Sequence, residues 1–163
     1  MNIIQKTEFT HLRDVRLNRQ GKKIGEIVKF KGNIYYFTYR TSEHFFIKFR
    51  GFGLDRGILK HLLEEEETIR KLLQNPNFEL KIIIFYDGKR EKRYYLVDIW
   101  DFIMKGIEVE YTKDVKDGDI ESYGVQKILP IKDMKLLGYD LHDEEVIKYR
   151  KRWGVFGDRE NVK

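Results

Sequence analysis

The chain of 163 residues contains no cysteine, no alanine and only two serines, Ser42 and Ser122. The absence of cysteine excludes disulfides, thiol catalysis and cysteine-ligated metal sites, and it makes a reducing compartment the default expectation. No apolar run approaches the length of about 18 residues that a membrane-spanning helix needs. Residues 1–10 also lack the apolar core of a secretory signal. We therefore expect a cytoplasmic protein without a membrane partner.

Lysine, glutamate and isoleucine are abundant, whereas glutamine and asparagine are few. Such a composition is typical of hyperthermophile proteins. The missing alanine fits an AT-rich genome, because alanine codons begin with GC, so we expect a thermophilic archaeon or one of its viruses as the source. Hydrophobic residues at 41% and charged residues at 36% indicate a folded chain. The length favours a single domain over residues 1–155 with a flexible tail over 156–163.

Positive charge is concentrated in the first third of the chain. Residues 1–60 carry a net charge of +8, residues 61–120 a net charge of −4 and residues 121–163 a net charge of +1, which gives the overall +5. A cationic region can bind polyanions through phosphate contacts and counterion release. The alternative explanation is a solvated, lysine-rich surface that has no ligand.

Alternation of apolar and polar residues predicts an antiparallel β-meander early in the chain. The predicted strands cover residues 22–30, 34–40 and 44–50. Residues 1–21 fit a short helix and a strand equally well. Gly51-Phe52-Gly53 is expected to end the meander and to lead into a helix over 54–73 with a regular apolar stripe.

The rest of the chain is predicted to contain shorter elements. Ile82-Ile83-Ile84 is apolar on both faces and indicates a central strand, from which a turn at Asp87-Gly88 leads into a hairpin. The remaining elements are a helix over 99–105 capped by Asp98, strands over 107–111 and 123–129, a polar loop over 112–122, and a final helix from Asp143 to Gly154. This order predicts an α+β fold, and an OB-type barrel shares it.

The segment 30–52 contains nine aromatic residues with cations among them. On the predicted strands, one face would expose rings beside cations, which suits a single-stranded nucleic acid because bases stack on rings and cations neutralise phosphates. Arg40, Lys48 and Arg50 would contact phosphates, while Tyr36, Phe46 and His44 would stack on bases. The full set of predicted nucleic-acid-binding residues is Lys29, Lys31, Tyr36, Arg40, His44, Phe46, Lys48, Arg50 and Arg56. The alternative is that these rings pack beneath a second layer.

No residue pattern identifies catalytic machinery. The four histidines lack the spacing of metal ligands, and the two serines stand alone. Glu79-Leu80-Lys81 fits the Glu-x-Lys element of metal-dependent nucleases, but chance predicts such a tripeptide in a chain this rich in both residues. We expect no catalytic residue, metal or cofactor. The alternatives to nucleic-acid binding are a structural or protein-interaction domain that forms homo-oligomers through opposite charges, and a metal-dependent nuclease.

Overall fold

The computed structural model describes residues 2–17, 21–89, 92–114 and 120–140, and for residues 111–114 and 120–123 it describes the backbone alone. The first six strands are β1 (Ile3–Ile4), β2 (Phe9–Arg16), β3 (Lys23–Phe30), β4 (Asn33–Arg40), β5 (His44–Phe45) and β6 (Arg50–Asp55). The elements that follow are α1 (Arg56–Leu73), β7 (Lys81–Asp87), β8 (Lys92–Asp98), α2 (Ile99–Lys105), β9 (Ile107–Asp114), β10 (Ile120–Pro130) and β11 (Lys135–Asp140). The described part is mostly β-sheet with two helices, which is compatible with the predicted α+β class. The predicted final helix and tail lie outside the described residues.

The strands form two sheets. The larger has the order β1-β11-β8-β7-β4-β3-β2, and the smaller has the order β5-β6-β10-β9. β2, β3 and β4 form an antiparallel meander, one strand earlier in the chain than predicted. β7 then pairs with β4 in parallel, because α1 and the β5–β6 pair form the long crossover that a parallel pairing needs.

The larger sheet is strongly curled. Strands β2 and β8 are separated by three other strands and would lie about 19 Å apart in a flat sheet. The ring centroids of Phe9 on β2 and Tyr94 on β8 are nevertheless 5.2 Å apart. The side chains between them, including Phe30, Phe37 and Phe85, therefore form an aromatic core on the concave face. The sheets are curled as in a barrel, although their seven and four strands differ from the five of an OB barrel.

A second core fills the opposite face of the larger sheet. Ile82 and Ile84 of β7 pack there with Leu62 of α1, Phe102 of α2 and Leu129 of β10, all of them buried. The two helices and the smaller sheet thus cover the face of the larger sheet that lies opposite the aromatic core. β7 is buried on both faces because Ile83 points into the aromatic core, which confirms the central strand predicted from three consecutive isoleucines.

Two carboxylates fix the positions of the helices. Asp98 accepts a hydrogen bond from the Trp100 backbone N–H at 2.9 Å and so caps α2 as predicted. Glu66 of α1 is buried, accepts a hydrogen bond from the Leu80 backbone N–H at 2.9 Å, and lies 3.1 Å from the Arg70 guanidinium. These contacts attach the end of α1 to the start of β7.

Three predicted boundaries are wrong. Residues 44–50 do not form one strand but a hairpin, described below. Gly51 and Gly53 do not end the sheet, because they lie buried within β6, where a Cβ at Gly51 would lie 2.5 Å from the Leu129 carbonyl oxygen of β10. The predicted polar loop over 112–122 is partly strand, since β9 continues to Asp114 and β10 begins at Ile120. No helix within the described ranges is long and apolar enough to cross a membrane.

Candidate nucleic-acid interface

Residues 44–50 form a tight hairpin that we call the aromatic hairpin. His44 pairs with Gly51 and Phe45 with Arg50. Beyond them, the Phe46 N–H donates to the Phe49 carbonyl at 2.9 Å and the Phe49 N–H donates to the Phe46 carbonyl at 3.3 Å. This reciprocal pair closes a two-residue loop of Ile47 and Lys48, so the chain reverses where the sequence predicted an extended strand.

The tip of the aromatic hairpin is exposed and largely apolar. Phe45 retains 72% of its accessible surface, Ile47 retains all of it, and Phe46 retains 37%. The rings of Phe46 and Phe49 stack on each other with centroids 4.7 Å apart. Lys48 and Arg50 are exposed beside these rings. Rings and cations therefore share one small projecting element.

A groove of about 400 Å³ lies beside the aromatic hairpin, between it and the turn after β7. It is more than twice the roughly 150 Å³ cavity that binds a benzene ring, so its volume is sufficient for a nucleobase. The rings of Phe45 and Tyr86 line it, together with the cations Arg50 and Lys89 and the hydroxyls of Thr41 and Ser42. The groove thus combines aromatic walls with two positive charges.

The groove also contains a buried carboxylate. The Glu43 side chain is only 7% exposed, and its Oε2 atom has no hydrogen-bond partner among the described residues. The Arg50 Nε atom lies 3.7 Å from Oε2, which is an ion-pair distance and too long for a hydrogen bond. A buried acceptor without a donor is uncommon in native proteins.

Asp87 anchors the turn that carries Lys89. Its carboxylate accepts a hydrogen bond from the Tyr39 hydroxyl and lies 3.2 Å from the Lys92 Nζ atom. Partial burial opposes ionisation, but the bonds from Tyr39 and Lys92 outweigh it and lower the pKa of Asp87 below its usual value. The turn is thereby tied to β4 and β8.

Tyr36 is wrongly predicted as a stacking residue. Its side chain is completely buried in the core beneath the helices, and its hydroxyl donates to the Ile24 carbonyl at 2.6 Å. Burial raises the pKa of this hydroxyl to about 12. The error arises because both faces of β4 are covered: Tyr36 and Thr38 point into one core and Phe37 packs against the other.

Arg40 connects two sheets rather than projecting into solvent. Its guanidinium donates to the Thr38 hydroxyl and the Tyr39 carbonyl, each at 2.8 Å, and to the Gly53 carbonyl at 3.3 Å. Burial lowers the pKa of this guanidinium, although arginine stays charged in proteins. Arg40 therefore holds the end of β4 against β6, the strand that continues the aromatic hairpin.

The remaining predicted cations do not join one surface. Lys29 and Lys31 are exposed at the β3–β4 turn, about 20 Å along β4 from Arg40 at the rise of a β-strand. Arg56 is exposed at the start of α1, where its guanidinium lies 3.5 Å from Glu108. The structure therefore groups His44, Phe46, Lys48 and Arg50 of the predicted set, and it separates the others from them.

A larger cavity of about 960 Å³ lies where β3 and β4 separate. The cations Lys6, Lys22, Lys23 and Arg40 line it. Lys23 and Arg40 are engaged in internal contacts. The Lys23 Nζ atom lies 3.1 Å from Asp14 and 3.2 Å from Glu26, and the hydrogen bond to Asp14 raises the pKa of Lys23. The Lys23 charge is thus partly neutralised within the protein, whereas Lys48 projects from the tip of the aromatic hairpin.

No group of three or more histidine, aspartate or glutamate side chains in the described ranges is placed to hold a metal ion. Glu79 is exposed outside the strands, and the Glu108 carboxylate pairs with Arg56 and with Lys127. Within the described ranges, Glu79 of the Glu-x-Lys tripeptide therefore belongs to no group of acids that could hold a metal ion.

Glu43, Phe45 and Lys89 were not predicted as site residues. Phe45 lies in a hairpin where the sequence predicts one extended strand, so alternation along that strand does not identify it as exposed. Lys89 is distant in sequence from the aromatic hairpin, and only the pairing of β4 with β7 brings the two together. The two phenylalanines flanking Ile47-Lys48 are the one sequence signal that could have indicated a hairpin tip.

Comparison of the chain with protein-family models, with curated proteins and with solved structures finds no match. The geometry of the aromatic hairpin and its groove is therefore the basis for the functional proposal.

Proposed function

We propose that this protein binds single-stranded nucleic acid, without catalysis, through the aromatic hairpin and the adjoining groove. The observation that carries the proposal is the exposure of Phe45 and Phe46 beside Lys48, Arg50 and Lys89. Solvent-exposed rings are costly unless something covers them, and clusters of rings and cations are what single-strand binders present.

Cations and rings would have separate tasks. Lys48, Arg50 and Lys89 would neutralise phosphates of the strand, which accounts for affinity without sequence preference. Phe45 and Phe46 would stack on bases, each contributing about 1–3 kcal/mol. This division of labour is that of OB-type single-strand binders, and the curled sheets are compatible with it.

A single strand suits the geometry better than a duplex. Phe45 shares one face of the aromatic hairpin with its cross-strand partner Arg50, whereas Phe46 and Phe49 lie on the other face. Stacking on rings that face opposite ways requires bases that are free to splay apart. Unpaired bases can do so, and paired bases would first have to break their stacks.

The direct test is fluorescence anisotropy with labelled 12-nucleotide strands of dT and rU and with a DNA duplex. We expect micromolar or tighter binding of the single strands. Comparison of the dT affinity with the rU affinity shows whether the protein prefers DNA or RNA. Phe45→Ala should weaken binding about tenfold or more, given the energy of one stacked base. A matched control is Leu72→Ala on α1, which removes an equally exposed apolar side chain (77%).

Two outcomes contradict the proposal. One is the absence of binding to any strand at 50 mM salt. The other is an equal loss of affinity for Phe45→Ala and Leu72→Ala, because a general effect of surface hydrophobicity would then explain the binding. Adding Mg²⁺ or Mn²⁺ to the same samples tests the nuclease alternative, which requires cleavage of the strand.

Self-association is the second candidate, and the full exposure of Ile47 at the tip favours it. An apolar tip of this kind can insert into a pocket on a second copy. Sedimentation velocity over a range of protein concentrations distinguishes the two candidates. An oligomer that Ile47→Asp dissociates would support the alternative, and a monomer at every concentration would remove it.

A further inference from the structure

We infer that the groove beside the aromatic hairpin selects guanine, which it recognises through the Glu43 carboxylate. The inference rests on the proposed function and extends it from binding of any strand to preference for one base. Two observations support it: Glu43 lines the groove, and its Oε2 atom is buried without a hydrogen-bond partner among the described residues.

The position of this carboxylate needs an explanation. A carboxylate that is 7% exposed has lost most of its water, and buried polar atoms normally recover such losses through hydrogen bonds. Arg50 lies 3.7 Å away and supplies charge but no hydrogen bond. A ligand that brings donors into the groove would satisfy the open acceptor.

Guanine is the base whose edge matches a carboxylate. An ionised carboxylate is an acceptor only, and it prefers two parallel donors. The Watson–Crick edge of guanine presents the N1–H and the N2 amino group side by side. Adenine and cytosine place a ring nitrogen acceptor next to their amino group, and thymine and uracil flank one N–H with two carbonyl oxygens, so each would set an acceptor against the carboxylate.

The other groups of the groove fit a base in this orientation. Phe45 and Tyr86 line the groove and offer ring surfaces to the base. Arg50 and Lys89 lie beside it, where the phosphates flanking a bound nucleotide need partners. A base held between the rings with its Watson–Crick edge towards Glu43 would use the aromatic, cationic and acidic residues together.

The test uses dT 12-mers that carry one central guanine, inosine, adenine or cytosine, with all-dT as the reference. We expect the guanine strand to bind about tenfold more tightly than all-dT. Inosine lacks the exocyclic amino group and should recover only part of that gain. Glu43→Gln should abolish most of the guanine preference, measured as the ratio of the guanine-strand affinity to the all-dT affinity of the same variant. Glu79→Gln, at an exposed glutamate, is the matched control and should keep the preference.

Equal binding of guanine and thymine by the wild-type protein overturns the inference and leaves the proposed function standing. An unchanged preference in Glu43→Gln also overturns it. Failure of every strand to bind overturns both. If Glu43→Gln does not fold, as its thermal melt would reveal, the wild-type ranking of guanine, inosine and adenine decides alone.

Discussion

The proposed interface makes a quantitative prediction about salt. Three cations, Lys48, Arg50 and Lys89, lie at the aromatic hairpin and its groove. Each phosphate that a protein neutralises on a single strand contributes about −0.7 to the slope of log K against log salt. Three contacts therefore give a slope of up to about −2, since Glu43, 3.7 Å from Arg50, offsets part of the Arg50 charge. Replacing Lys48 and Lys89 together by glutamine leaves Arg50 and a slope of about −0.7.

Anisotropy titrations of a dT 12-mer between 50 and 200 mM salt measure this difference. A slope of about −2 corresponds to a roughly 20-fold loss of wild-type affinity over that range, and a slope of −0.7 to a loss of about threefold. The matched control is Lys29→Gln with Lys31→Gln, which removes the same charge about 20 Å away along β4. An equal fall of slope in the control would refute the local interface, and so would an unchanged slope in the Lys48 and Lys89 double variant.

Three further predictions concern the scaffold. Tyr36→Phe removes the donor to the buried Ile24 carbonyl and should lower the free energy of unfolding by about 1–2 kcal/mol in urea titrations, without changing strand binding. Glu66→Ala should cost about 3 kcal/mol, because it leaves the buried Leu80 N–H without an acceptor. The folded-state pKa of Asp87 is lowered from 3.8, so the stabilisation by its carboxylate is present above about pH 4 and is lost as the pH falls further. Asp87→Asn should therefore lower Tm more at pH 7 than at pH 2.

Each of these has a control or a contradicting result. Glu67→Ala removes an exposed carboxylate one residue along α1 and should change stability by at most about 0.5 kcal/mol. Loss of strand binding in a folded Tyr36→Phe protein would show that the Tyr36 hydroxyl contributes to the binding site. An equal fall of Tm for Asp87→Asn at both pH values would show that its charge is not what stabilises the turn.

Elements with a strong local signal were predictable from sequence. The isoleucines at 82–84 indicated a central strand, and β7 is buried on both faces. Asp98 followed by an apolar run predicted α2 with its correct bounds. In both cases the residues that specify the element are adjacent, so no knowledge of the rest of the fold was required.

The aromatic hairpin was not predictable in the same way. Apolar residues occupy 45–47 and 49, and such a run is compatible with a strand as well as with a turn. The segment lacks the glycine or asparagine that marks a two-residue turn, in contrast to Lys31-Gly32, where both residues have positive φ. The contact of Phe46 with Phe49 closes the loop, and it exists only after the chain has reversed.

The error at Tyr36 has a topological cause. Alternation along β4 separates its side chains into two sets but does not say whether one or both faces are covered. The curl of the larger sheet covers one face and the helices cover the other. Both faces are covered through pairings between segments that are distant in sequence, and a local sequence pattern does not predict such pairings.

The most direct test of the central claim is a ¹⁵N-HSQC titration of the whole chain with a dT octamer. We expect amide shifts to concentrate at residues 41–50 and 86–89, the aromatic hairpin and the turn across the groove. Residues 29–31, at the opposite end of β4, should stay unchanged. Shifts centred on 29–31 or on the cavity between β3 and β4, with the aromatic hairpin unaffected, would contradict it.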